Sequence, residues 1–245
     1  MAEGAPAVRL RQAVLVAAEL ELLAETLTRE LGLAAPFRDP GVAEFGLANV
    51  VFAIGDCFLE VVSPVAAGTA AGRQLERAGG DGGYMALFDL EDLEGARERA
   101  ERDGVRTVWR IDLPDISGTH MHPADLRGTI VSLDGSRPYG SWRWGGPDWT
   151  GKVGTGAPGR LEGITVAVRD PAAVAARWGA VLGVAPAGEG GTQLEMSDGA
   201  TVRFVGSGER GVEEITEIAL ALPAAVRAGR ESLAVGAARL TLSDL

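Results

Sequence analysis

Glu60 sits inside the apolar run FLEVVSP, and a carboxyl group so placed is the first chemical feature of this sequence. Burial penalises the charged form and pushes the pKa of such a group up, toward the range where it exchanges a proton at neutral pH. A plainer reading stands beside it: an acid satisfied by Arg73 or by a backbone donor, since a lone buried carboxylate is costly without a partner. The two histidines, His120 and His122, occur together in ISGTHMHPADLRGT. Residues two apart on a strand point the same way, so both imidazoles can be presented to one face. The alternative has one or both hydrogen-bonded near the surface, with His122 and Pro123 entering a turn. Cys57, the only cysteine, precludes an internal disulfide and reads as a small buried residue rather than a reactive thiol.

These residues must be held by regular elements, and the chain repeats one order of elements. LRQAVLV (residues 10–16) suits a strand, and ELELLAETLTRELGL places apolar residues at helical spacing before Gly32. Three apolar runs follow, at residues 44–45, 49–54 and 58–62, punctuated by Gly46 and by Gly55 with Asp56. After a Gly/Ala-rich connector the order returns: strand 84–88, helix 91–103, strand 106–110 and a last strand 129–133. A third pass begins at Leu161, with Asp170 and Pro171 opening a helix and a hairpin turning at Asp198 and Gly199. A fourth, shortened copy starts at Ile215. Between copies two and three lies a Gly- and Pro-rich segment, residues 139–159, holding Trp142, Trp144 and Trp149. It is the clearest boundary, and its tryptophans are either a plug between the halves or an aromatic wall for a ligand.

At 245 residues, 46% apolar and 23% charged, the sequence is that of a globular protein. Its net charge of -11 and the absence of any Lys or Arg run argue against nucleic acid as a partner. No stretch reaches the roughly 20 apolar residues of a membrane span, and the first residues lack a signal-peptide layout, so a cytoplasmic protein with no membrane partner is expected.

The repeated strand-helix-strand-strand-strand unit resembles the vicinal oxygen chelate superfamily, which includes glyoxalase I, bleomycin-resistance proteins and dioxygenases. The local wording agrees: QAVLVAAEL puts Gln12 where that family has a metal-binding His or Gln, with Glu19 and Leu20 seven and eight residues on, and FLEVVSP offers Glu60 as the acidic ligand. The resemblance implies an α+β fold of βαβββ modules pairing into cupped mixed sheets. It divides the chain into a domain of two modules over 1–138 (modules at about 8–65 and 82–135), the 139–159 linker, and a degenerate second domain over 160–245. It departs from the pattern at Met85 and Ser132 in copy two, and at Gly163 and Arg203 in copy three.

The resemblance further implies a divalent metal ion (Zn, Ni, Mn, Co or Fe) on Gln12 and Glu60, which His120 and His122, if both face the cavity, would join as substitute ligands. Glu60 and His120 would then be the catalytic pair of a glyoxalase- or epimerase-type lyase or isomerase, with Met85, Ser132, Trp142 and Trp144 around the substrate. The missing ligands leave a second reading open, a metal-free small-molecule or antibiotic-binding protein of the same fold. A homodimer is the candidate assembly in either case.

Overall fold

The computed structural model describes residues 5–153 and 159–245. Its first half runs β1 (Val8–Val16), α1 (Leu20–Leu31), β2 (Leu47–Ile54), β3 (Cys57–Pro64), α2 (Ala70–Ala78), β4 (Gly82–Leu90), α3 (Leu93–Arg102), β5 (Thr107–Asp112), β6 (Ile116–Met121), α4 (Pro123–Leu126) and β7 (Ile130–Ser136). These strands form one mixed sheet in the order β2-β3-β1-β4-β7-β6-β5. β1 and β4 pair antiparallel at its centre, while β3 runs parallel to β1 and β7 parallel to β4. Two modules therefore meet back to back, each closing on its own first strand.

Local chemistry explains the elements. α1 buries Leu20, Leu23, Ala24, Leu27 and Leu31, an apolar stripe at helical spacing, and ends at Gly32 with φ 57°. Asp92 caps α3 by accepting the Gly95 N–H. The expected strand at residues 44–45 is instead part of a 3-10 helix, Pro40–Phe45, opened by the Asp39 carboxylate accepting from Gly41. Pro40 has no N–H to give a ladder, and the strand that would stand there is reduced to a single bridge between Phe37 and Val51.

After α5 (Trp149–Val153) the plan recurs with clipped strands: β8 (Arg160–Val168), α6 (Pro171–Leu182), β9 (Pro186–Ala187), β10 (Gln193–Glu195), β11 (Thr201–Gly206), β12 (Glu214–Leu222), α7 (Ala224–Arg227), β13 (Ser232–Val235) and β14 (Ala238–Asp244). The second sheet has the order β13-β14-β12-β8-β11-β10-β9. No helix among the described residues is long and apolar enough to cross a membrane.

The period-two alternation of the first sheet sends its side chains to two different places. Ala13, Leu15, Leu59, Val61, Ala86, Phe88, Val131 and Leu133 join α1, α3 and the second sheet in one apolar core. Trp178 of α6 ties the sheets together, its ring edge-on to Phe88 at 6.1 Å and to Phe204 at 5.2 Å, and its indole N–H donating to the Leu126 carbonyl at 2.8 Å. Such aromatic pairs contribute about 0.5–1.5 kcal/mol each beyond burial. The sheets approach so closely at Gly83 that a Cβ there would lie 2.4 Å from Ile215. The residues of opposite parity, among them Val14, Val62, Met85 and Leu87, face away from the second sheet and line a cup.

Candidate active site

The cup encloses a cavity of about 180 Å³ lined mainly by apolar side chains, with a few polar groups converging on it. Gln12 of β1 and Glu60 of β3 stand on this face because both share the parity of Val14 and Val62. Asn49 of β2 reaches the same point. Glu60 accepts from Gln12 Nε2 at 2.7 Å and from Asn49 Nδ2 at 2.6 Å, so each carboxyl oxygen has its own donor.

Neither amide is free to turn. Gln12 Oε1 accepts from the Trp142 indole N–H at 2.9 Å, and Asn49 Oδ1 accepts from the Asp39 backbone N–H at 2.9 Å. Each amide thus has its oxygen occupied and its NH2 committed to Glu60. Burial raises the Glu60 pKa to about 7, against the pull of the two amide donors toward the ionised form. The expectation that Arg73 satisfies Glu60 fails: Arg73 is exposed and donates to the Gly68 carbonyl.

Across the cup stands a second acid, Asp134 of β7. It is 1% exposed, and burial raises its pKa to about 7. Its Oδ1 accepts from the Trp144 indole N–H at 3.0 Å, while Oδ2 closes no hydrogen bond among the described residues. An aromatic wall from the sheet's outer strands lines the same cavity. The His120 ring is 4.4 Å from Trp109 and 5.7 Å from Phe45, centroid to centroid, and desolvation lowers its pKa to about 4, leaving a neutral imidazole at physiological pH.

The structure brings together Gln12, Glu60, Met85, His120 and Trp144 around the cavity. Ser132 lies on the same face of β7 as Ile130 and Asp134, fully buried, its hydroxyl beside the Asp134 carboxyl without closing a hydrogen bond to it. Trp142 lies behind the cavity lining, stacked on Phe58 at 6.4 Å and covered by the buried Arg11 guanidinium at 5.7 Å. His122 is elsewhere. β6 ends at Met121, so the alternation that was to align the two histidines stops one residue short. His122 instead caps α4, its Nδ1 accepting from the Ala124 N–H at 3.1 Å. Asn49, Asp134 and Trp109 were not singled out in the sequence; the period-two pattern through Ile130 and Ser132 was the signal that leads to Asp134. Cys57 is buried with its thiol pushed up to about 11, the inert reading.

The family described as a glyoxalase-like domain matches residues 13–182. The chain belongs to that family. It is 25% identical over 134 residues to an ethylmalonyl-CoA/methylmalonyl-CoA epimerase of Cereibacter sphaeroides, covering 51% of this chain and 96% of that protein. A mutant 4-hydroxymandelate synthase from Streptomyces coelicolor superposes with a TM-score of 0.65 at 17% identity, over 89% of this chain and 72% of that one. A methylmalonyl-CoA epimerase from the same organism matches 53% of this chain and 98% of that chain, at 19% identity and a TM-score of 0.47. The synthase likeness extends the shared fold across both sheets.

The divalent ion implied by the resemblance does not fit the residues present. A ligating amide must offer its oxygen, and Gln12 has that oxygen bonded to Trp142 while its NH2 faces the acid. Each Glu60 oxygen keeps one lone pair, but Gln12 and Asn49 turn N–H groups rather than oxygens toward it, and His122 lines a different cleft. Among the described residues no group of three or more His, Cys, Asp or Glu side chains is placed to hold a metal.

Proposed function

We propose that this glyoxalase-like protein is a metal-independent acid-base enzyme that moves a proton at a carbon beside a carbonyl in a small, largely apolar molecule. One observation carries the reading: two buried carboxyl groups, from corresponding arms of the sheet, face a single apolar cavity. β3 and β7 are separated by β1 and β4, about 14 Å at the usual strand spacing, and their side chains project inward from opposite sides. A molecule between them has one acid on each side.

Glu60 is the base. Its two fixed donors favour the carboxylate, and its raised pKa matches it to proton abstraction near neutrality. Asp134, about half protonated near pH 7, returns a proton from the other side through Oδ2, so the proton count is unchanged over a turnover. Neutral His120 is suited to donate a hydrogen bond to the substrate oxygen as negative charge develops, without the cost of burying a cation. The epimerase relative, whose name denotes inversion at a stereocentre, supports this class of reaction.

The experiment is deuterium wash-in. The protein is incubated in D2O with a panel of 2-substituted acyl thioesters and 2-hydroxy ketones, and exchange is followed by NMR. Expected is exchange into at least one compound, unaffected by EDTA and lowered at least about a hundredfold by Glu60→Ala, the usual scale of general acid-base catalysis. Exchange abolished by EDTA and restored by a divalent ion would overturn the metal-free reading. A second reading, a binding protein, draws on the fact that both Glu60 oxygens are already hydrogen-bonded; ligand quenching of tryptophan fluorescence with no exchange in the panel would establish it instead.

A further inference from the structure

A second concavity, of about 440 Å³, opens where α2 and α4 face the β8–α6 corner and the loop before β12. Arg73, Arg77, Arg127, Arg169 and His122 line it, against one carboxylate, Glu213. In a chain of net charge -11, four converging arginines form a local field opposite in sign to the whole.

The arginines are positioned rather than scattered. Arg73 and Arg77 stand one turn apart on α2, on the same side of the helix. The buried Gln74 between them donates to the Gly83 carbonyl at 3.1 Å and accepts from Arg77, which fixes that guanidinium. Arg127 makes a forked pair with Glu213 at 2.7 and 2.9 Å, and the Arg169 backbone N–H donates to the same carboxylate at 3.1 Å. Arg127 holds φ 67° and ψ 161°, a region that is nearly glycine's alone and strained for any side chain. The turn is pinned from behind, because a Cβ on Gly128 would lie 2.4 Å from Val166. Such strain persists where the surroundings over-determine it, and here it points a cation into the cleft.

Glu213 is answered by Arg127. Arg73 and Arg77 spend their hydrogen bonds on neutral partners and the Arg169 guanidinium makes no salt bridge among the described residues; Arg77 also feels the buried Glu214 and Arg169 feels Glu213, so the four guanidiniums stand against these two carboxylates and keep an excess of positive charge. Guanidinium forks match phosphate oxygens in pairs, and several of them around one cleft suit a group with more than one negative charge.

We propose that this cleft is a binding site for a phosphate or diphosphate group of a small molecule. It adjoins the reaction cavity, with Tyr84 and Ile130 contributing to both linings, yet it uses none of the acid-base residues. It also draws on both halves of the chain, since Arg169 and Glu213 follow β8 and precede β12.

The test is calorimetric titration of the full chain with inorganic pyrophosphate, with sulfate and citrate at matched ionic strength as further arms. Expected is saturable pyrophosphate binding, weakened at least about tenfold by the exposed pair Arg73→Ala/Arg169→Ala and unchanged by Glu60→Gln. No saturation up to about 10 mM, or equal binding by the double variant, would overturn the site. Equal affinity for sulfate and citrate would overturn its assignment to phosphate. Loss of exchange chemistry in the cavity leaves the pyrophosphate result untouched, so the two proposals fail separately.

Discussion

The two arms of the first sheet carry the same functional group under opposite conditions. On the β3 side, Glu60 has two donors, and each donor is itself held by a further hydrogen bond from Trp142 or from the Asp39 backbone. On the β7 side, Asp134 has one formed hydrogen bond, from Trp144, and its second oxygen has only the Ser132 hydroxyl beside it, near enough to favour the charge but not closed into a hydrogen bond. Burial drives both acids to about the same pKa, near 7, but only Glu60 has its geometry dictated from every side. One cup thus holds a base that is ready and an acid that waits for its ligand. A carboxyl group held by two donors is fixed in position and favoured as the charged base, and one with an oxygen left open can accept a donor from whatever enters.

The largest effect is expected on the Glu60 side. Asn49→Leu removes a Glu60 donor and strands the Asp39 N–H, and should destabilise the protein by about 2–4 kcal/mol at about pH 8. At about pH 5 Glu60 is protonated and the loss should be smaller; urea unfolding at the two pH values measures it, and equal losses would break the contrast.

Asp134→Asn should do the reverse, raising stability by about 1–3 kcal/mol at about pH 8, because an amide still accepts from Trp144 without a buried charge. The sign follows from linkage. Asp134 has a folded pKa of about 7 against 3.8 unperturbed, so its stabilising contribution is complete below the lower value and is lost as pH rises through the upper one. Asn should therefore bring no gain near pH 4. His120 works oppositely: with its pKa lowered from 6.5 to about 4, it favours the fold above the first value, and that contribution is lost as pH falls through the second. Melting temperature against pH for the wild type and Asp134→Asn separates these windows, and identical profiles would remove the distinction between the arms.

The smallest effect belongs to the second sheet. There Arg203 stands exposed and Thr165 half-exposed on strands that alternate buried and open positions, whereas β4 is buried on both faces. Arg203→Ala should change stability by less than about 0.5 kcal/mol and leave cavity chemistry intact; a larger loss would mean that this face is covered in a way the alternation does not indicate.

The order of elements was legible because apolar periodicity and turn residues mark each strand and helix, as in α1 with its leucine stripe and α6 with Asp170 and Pro171 at its start. Glu60 was legible for a related reason, since an acid inside an apolar run stands out. Asp134 did not, because Asp134 followed by Gly135 reads as turn chemistry, yet β7 continues through both to Ser136. His122 follows the plainer of the two readings, a turn entered with Pro123, because that proline ends the alternation on which the shared-face reading depended. Amide orientation cannot be read from a single strand at all. The direction of Gln12 is decided by an indole 130 positions away in the chain.

That indole and its neighbour have a consequence for how this protein can be divided or inherited. Trp142 and Trp144 lie beyond the last strand of the first sheet, in the segment that leads to the second; Trp142 holds Gln12, the partner of Glu60, and Trp144 holds Asp134 directly. A first sheet cut at its own strand boundary, whether by a protease, a gene fission or a designer, would keep every carboxyl group and lose the two N–H groups that orient them. The unit that carries the chemistry is longer than the unit that carries the sheet, so a recombination breakpoint that spares all seven strands can still erase the site.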